Sequence, residues 1–168
     1  NQGLVEYTGN IRETVSTYLN SENDDVIYLN QQDNSAKKMF IKEIQVAKLN
    51  GEVSKEYFYN EQINFKFTVG VKELVQNASF FVTILDSRKK RVFSCEREFV
   101  SEDMTLSIEP NTLVRGNYSI HAFINQPKVA QLDVAEDVCK FTVIDPDSYL
   151  AKHGEYDYGA VFGRYSWK

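Results

Sequence analysis

The chain has 168 residues, 42% hydrophobic and 13% aromatic with only 3 prolines, which allows one strand-rich domain with a real core and not two full ones. Its net charge of -5, with both signs scattered, disfavours nucleic acid as the main partner, because phosphate neutralisation normally needs a basic surface. No apolar run approaches the roughly 20 residues that span a bilayer, and no basic-then-apolar signal segment opens the chain, so export is not indicated.

In chain order, Asn10 can cap a helix with Glu13 in its first turn and Ile11, Val15, Tyr18 and Leu19 at helical spacing. A lone helix of about ten residues is marginal in water, so residues 1–20 read as the end of a larger domain upstream. Residues 21–38 are polar except for Val26-Ile27-Tyr28-Leu29 and read as a linker, that island docking on the body or forming an edge strand. From Met39 the pattern changes to period two.

A strand from Phe40 to Leu49 is closed by Asn50-Gly51, a hairpin signal, and a second covers Glu56 to Tyr59. In the next, Ile63, Phe65, Phe67 and Val69 face a core while Asn64, Lys66 and Thr68 face water. Phe80 to Leu85 and Val92 to Phe99 flank the turn Asp86-Ser87-Arg88-Lys89-Lys90-Arg91, and Leu106 and Ile108 mark a short strand. Leu113 to Tyr118 has the form of a sandwich corner in which a Tyr hydroxyl bonds back to the connecting backbone. Beyond it Tyr118, Ile120 and Ala122 point inward, and Ser119, His121, Phe123 and Asn125 outward. Gln126-Pro127-Lys128 breaks the run, Val138 to Ile144 restores it, a loop or short helix covers Asp147 to Gly154, and a last strand spans Gly159 to Trp167.

About eight strands with no helix between them predict an all-β fold over residues 39–168, an antiparallel immunoglobulin-like or jelly-roll sandwich behind a short N-terminal helix. The last strand hangs on a long tether. Through Gly159, Val161, Phe162, Tyr165 and Trp167 it can pair with its own sheet or be exchanged with a second copy. Cys95 and Cys139 fall in strands and read as buried reduced thiols, because an immunoglobulin-type bridge has a core Trp between its cysteines and Trp167 lies beyond both.

No phosphate loop, dinucleotide fingerprint or nucleophile elbow occurs, and neither His121 nor His153 has partners at metal-ligand spacing. The acids lie in turns and surface stretches, where solvated carboxylates belong. No catalysis, cofactor or metal is therefore expected. The Arg88–Arg91 run reads as a solvated hairpin tip, with an anion site for a phosphorylated glycan or lipid headgroup as its functional alternative. More informative is the wet face, where Asn64, Lys66, Thr68, His121, Phe123 and Asn125, with Tyr57 or Tyr59, mix aromatic and short polar groups. Sugars present apolar C–H faces beside hydroxyls and need such a mixture; the plainer reading is an ordinary exposed sheet face. The candidate carbohydrate contacts are Asn64, Lys66, Tyr59, Arg91, His121, Phe123 and Asn125.

Three stretches together resemble a known family. Gly3 to Leu19 is similar to the closing strand, Gly turn and helix of an ABC-transporter ATP-binding domain. Ile44 to Leu49 with Asn60 to Phe65, Leu113 to Ile120, and the terminal Gly159 to Trp167 resemble the sandwich that follows it in Wzt-type O-antigen exporters. The resemblance implies a non-catalytic domain at the cytoplasmic face of the inner membrane that binds the end-capped, non-reducing end of an O-antigen polysaccharide and couples chain completion to ATP-driven export. It further implies homodimers with the last strand exchanged, an ATP-binding domain upstream and a transmembrane permease as partner. The alternative is a structural dimerisation sandwich without glycan specificity.

Overall fold

A computed structural model describes residues 26–168, and the predicted helix over residues 10–20 lies outside them. Nine strands follow: β1 Ile27–Leu29, β2 Met39–Ala47, β3 Glu56–Phe58, β4 Ile63–Val71, β5 Ser79–Asp86, β6 Arg91–Glu98, β7 Asp103–Ile108, β8 Gly116–Gln126 and β9 Ala130–Ile144. They form a sandwich of a four-stranded sheet ordered β1-β2-β4-β7 and a five-stranded sheet ordered β3-β9-β8-β5-β6. The expected all-β sandwich is what the chain forms.

Period two sets which residues meet between the sheets. Ile63, Phe65, Phe67 and Val69 of β4 are buried, as are Tyr118, Ile120, Ala122 and Ile124 of β8. Phe141 on β9 is the aromatic hub: it stands edge-on to Tyr57 (6.1 Å) and Phe65 (5.5 Å) and stacks on Tyr118 at 5.7 Å. Cys139 is buried, both thiols are free, and burial pushes the Cys139 thiol up to about 12. The sandwich corner forms as expected, the Tyr118 hydroxyl donating to the Val114 carbonyl at 2.6 Å.

Four features differ from the sequence expectation. One pair of strands, β3 with β9, is parallel, because β3 leaves the first sheet and enters the second at its far edge. The Asn50-Gly51 turn does form, Gly51 amide to Lys48 carbonyl at 2.9 Å with Gly51 at φ 89°, but it returns the chain only to a single bridge between Ala47 and Val53. β9 begins at Ala130 and not at Val138, since Gln126-Pro127-Lys128 is a tight turn closed by the Val129 amide on the Gln126 carbonyl, with Lys128 at φ 63°. Polar residues hid its first half because that half lies along the sheet margin.

The fourth difference is at the C-terminus. Within one chain Gly159 to Trp167 makes one bridge, Val161 to Leu113, instead of a strand. It is held by the Phe162 amide on Thr112 and by the Ala160 carbonyl, which accepts from the Val114 amide and the Tyr118 hydroxyl. Phe162 packs between Tyr59 at 5.7 Å and Tyr149 at 5.9 Å, whereas Tyr165 is 65% and Trp167 92% exposed.

At the other end the chain enters the body earlier than Met39. Val26 is fully buried, and β1 adds to the edge of β2 as the island reading allowed. Lys37 donates to Asp133 of β9 at 2.6 Å, and the same carboxylate accepts the Ile41 amide at 2.8 Å. No helix among the described residues is long and apolar enough to cross a membrane.

Candidate functional site

The sandwich has two outer faces, and their chemistry differs. On the four-stranded sheet Asn64, Lys66 and Thr68 project from β4 between Glu43 and Gln45 of β2 and Asp103, Thr105 and Ser107 of β7. Much of this face is bonded to itself: Asn64 accepts from Ser107 at 2.7 Å and Gln62 at 2.8 Å, and Thr68 donates to Asp103 at 3.0 Å. It carries no aromatic ring among the groups around Lys66 other than the core-facing Phe67.

The five-stranded sheet presents a different surface. Its register aligns side chains in rows across the strands, because directly opposed residues in an antiparallel pair share a face. One row runs Glu96, Phe81, Phe123 and Val134 across β6, β5, β8 and β9. The next contains Ser94, Thr83 and His121. Phe81 and Phe123 are stacked with centroids 4.9 Å apart and planes 16° from parallel, and His121 meets Phe123 edge-on at 5.7 Å. The Thr83 and Ser94 hydroxyls share a hydrogen bond of 2.9 Å beside them. Phe81, His121 and Phe123 are all half-buried, so the pair forms a supported ring surface with polar groups at its margin.

Of the candidate residues, the fold therefore gathers His121, Phe123 and Asn125 on one face. Asn64 and Lys66 stand on the opposite face with the core between, and one site cannot hold both groups. Tyr59 lies at an end of the sandwich against Phe162, and burial together with Asp147 pushes its phenol above the usual range. Arg91 is exposed at the start of β6, beyond the hairpin tip, where Asp86 accepts the Arg88 and Lys90 amides at 2.8 Å each. The tip is solvated, as expected.

Sequence reasoning passed over Phe81, Thr83, Ser94 and Glu96. The signal for Phe81 was present: Ser79 to Asp86 is apolar on both parities, and two adjacent Phe residues in a strand must point to opposite faces. Asp137 was also unremarked. Lys89 and then Ser119 (2.6 Å) donate to its carboxylate, which holds it below the usual carboxylate range. The described residues include no group of His, Cys, Asp or Glu that could hold a metal ion.

Three comparisons bear on this arrangement. A crystal structure of the C-terminal domain of Wzt superposes with a TM-score of 0.61 over 84% of this chain and 86% of that one, at 13% identity, which establishes a shared fold. β-Glucuronidases of Bifidobacterium dentium and Lactobacillus rhamnosus align less well, with TM-scores of 0.41 and 0.37, identities of 13% and 10%, and 63% and 64% of this chain on 18% and 16% of theirs. No curated protein matches the sequence significantly. The family model of the Wzt C-terminal domain matches residues 30–158, and the chain belongs to that family.

Proposed function

We propose that this domain binds an O-antigen polysaccharide, at its end-capped non-reducing terminus, on the outer face of the five-stranded sheet. In this reading it acts without catalysis, coupling chain completion to export driven by an ATP-binding domain upstream and a permease in the inner membrane. Family membership supports a carbohydrate-binding domain of a transporter in general terms. The observation that carries the choice of face is the stacked Phe81–Phe123 pair with His121 edge-on to it. A pyranose can lay its C–H face on such rings while Ser94, Glu96 and Asn125 meet its hydroxyls, Thr83 being buried and holding the Ser94 hydroxyl from beneath.

Calorimetric titration of the chain with the host's own capped and uncapped polysaccharide tests this. Saturable binding is expected, stronger for the capped form. Phe123→Ala should weaken it by about tenfold, equivalent to about 1.4 kcal/mol, whereas Lys66→Ala on the opposite face should leave it unchanged. Absence of saturable binding to the capped polysaccharide rejects the reading. Equal losses in the two variants reject the face.

A second reading, a dimerisation sandwich without glycan specificity, is favoured by one observation: Tyr165 and Trp167 are exposed on a segment anchored by a single bridge. Both readings place an exchanged strand there, and both predict a dimer by light scattering. Removing residues 164–168 keeps the Val161 bridge and should give monomers. A dimer that survives the truncation puts the interface elsewhere.

A further inference from the structure

Tyr59, a sequence candidate that the sheet face does not use, borders a second cavity. It lies one residue beyond β3, at an end of the sandwich, and with Tyr149 and Phe162 it lines a cleft of about 550 Å³, a size that takes a small ligand. Phe162 is the middle ring, 5.7 Å from Tyr59 and 5.9 Å from Tyr149. Tyr59 and Phe162 are half-buried and Tyr149 is 51% exposed, so the ring surface is both supported and accessible. Asn111, Asp147 and Arg164 add a carboxamide, a carboxylate and a guanidinium to the same lining.

Three separate segments build this cleft, and hydrogen bonds pin each of them. Pro110 followed by Asn111 at φ 59° suits a tight turn, and the Asn111 amide donates to the Tyr59 carbonyl at 2.8 Å. The Asp145 carboxylate accepts the Ser148 hydroxyl and, at 2.8 Å, the Ser148 amide, which sets the loop that carries Asp147 and Tyr149. The Phe162 amide donates to the Thr112 carbonyl at 3.0 Å and so brings Phe162 and Arg164 of the C-terminal segment to the third side. An exchanged segment laid in the same place would supply the same two side chains.

Docking of the C-terminal segment accounts for the rings that touch one another, but not for the polar groups beside them. Among the described residues neither the Asn111 carboxamide nor the Arg164 guanidinium is held by a hydrogen bond or ion pair. Asp147 faces Tyr59, whose phenol is raised by burial and then by this carboxylate. The lining thus offers donors, acceptors and both signs of charge beside apolar ring faces. A simple ion answers one sign only, and a purely apolar guest answers neither. A neutral sugar answers all of them, its hydroxyls donating and accepting while its C–H face lies on a ring.

We propose that this cleft is a second sugar site, completed by the C-terminal segment, which takes a neutral pyranose of the same polysaccharide; the ligand class rests on the glycan reading above, and the place does not. The run of β8 from Phe123 to Gly116 covers about 23 Å, and Gly116 pairs with Val143, whose other neighbour is Tyr57, two residues before Tyr59. The two sites are therefore far enough apart to hold different sugars of one chain, and contact at both raises the affinity above that of either alone. Because Phe162 and Arg164 complete the cleft only when the segment is docked, a sugar bound there holds the segment in place by mass action.

Amide chemical-shift titrations of the 168-residue chain test it, with glucose, N-acetylglucosamine and the host's own polysaccharide as probes and glycerol as a control. At least one of the three should move the Tyr59, Asn111 and Gly163 amides saturably and slow hydrogen exchange at the Phe162 amide; glycerol at equal concentration should do neither. Asn111→Gly keeps the left-handed turn and removes the carboxamide, and Arg164→Met removes the guanidinium and keeps an apolar stem. Each should weaken binding at the cleft by about five- to tenfold and leave the glucose and N-acetylglucosamine shifts at Phe123 unchanged. Silence of the cleft toward all three probes, an equal response to glycerol, or unchanged affinity in both variants overturns the proposal. A cleft that responds while Phe162 exchange stays unchanged removes the part given to the C-terminal segment. Shifts at the cleft with silence at Phe123 leave this site standing and reject the sheet face, whereas the reverse rejects this site alone.

Discussion

Tyr118→Phe isolates one hydroxyl on which two parts of the molecule depend. The phenol donates to the Val114 carbonyl at 2.6 Å, closing the corner before β8, and lies 3.2 Å from the Ala160 carbonyl of the C-terminal segment. The ring itself stays, stacked on Phe141 at 5.7 Å, so no cavity opens. Ala160 keeps its bond from the Val114 amide at 3.0 Å, whereas the Val114 carbonyl, on a buried residue, loses this donor. One neutral hydrogen bond plus a poorly solvated acceptor gives a cost of about 1–2 kcal/mol. For a domain of this size that is a fall in melting temperature of roughly 2–8 °C. Differential scanning calorimetry reads the loss, and hydrogen exchange at Phe162, whose amide bonds Thr112, reads the loosening of the C-terminal segment. A melting temperature within a degree of the parent, with unchanged exchange at Phe162, would refute the view that this hydroxyl ties the segment to the corner.

Three further outcomes are expected. Asp133→Ala removes a carboxylate, its side chain 3% exposed, that holds both Lys37 and the Ile41 amide, and should cost about 2–3 kcal/mol in urea denaturation, with no change in ligand affinity. A loss below half a kcal/mol would show that the clamp is replaced by water. Gly70→Ala would place a methyl 2.4–2.8 Å from the Phe40 ring, which lies directly across from Gly70 on β2, and should cost about 1–3 kcal/mol. Phe40→Ala in the same background removes the clash, so the double variant should be more stable than the sum of the two losses; simple additivity refutes the contact. Raising pH should destabilise the fold. Burial lifts the Tyr57 and Tyr118 phenols above their usual range and the Cys139 thiol to about 12, so the native state keeps protons that the unfolded chain releases from about pH 8.5 upward. Stability is then level below that pH and falls above it; a urea midpoint constant to about pH 10.5 contradicts the burial of these groups.

Alternation made the two sheets legible, and it failed where a strand does not have one wet and one dry side. In β4 and the first half of β8 each inward residue is flanked by polar ones, so Phe65 and Ile120 announce their own orientation. In β5 the apolar residues occupy both parities, since Phe80 enters the core while Phe81 supports the outer ring stack. No period distinguishes them. The first half of β9 hid for the opposite reason, its Asp133 being polar and yet buried by an ion pair with a residue 96 positions earlier. Which strands share a sheet is equally absent from local pattern. Asn64 and His121 look alike as polar residues between apolar ones, and only long-range pairing puts them on opposite sides of the core.

That pairing gives β9 an unusual load. Its beginning carries Asp133, which fixes Lys37 and the start of β2 where the chain enters the body. Its middle is bulged twice, at the cost of two left-handed residues, and turns Asp137 to accept from Lys89 and Ser119. Its end holds β3 in the only parallel pair among the described strands, placing Lys55 beside Thr142 through the Lys55 carbonyl at 2.8 Å. A strand selected for stability alone would shed the bulges, since each forfeits ladder bonds and occupies an unfavourable conformation. They stand opposite Ser119 and His121, where they let Asp137 take the buried Ser119 hydroxyl while Cys139, two residues on, still returns to the core.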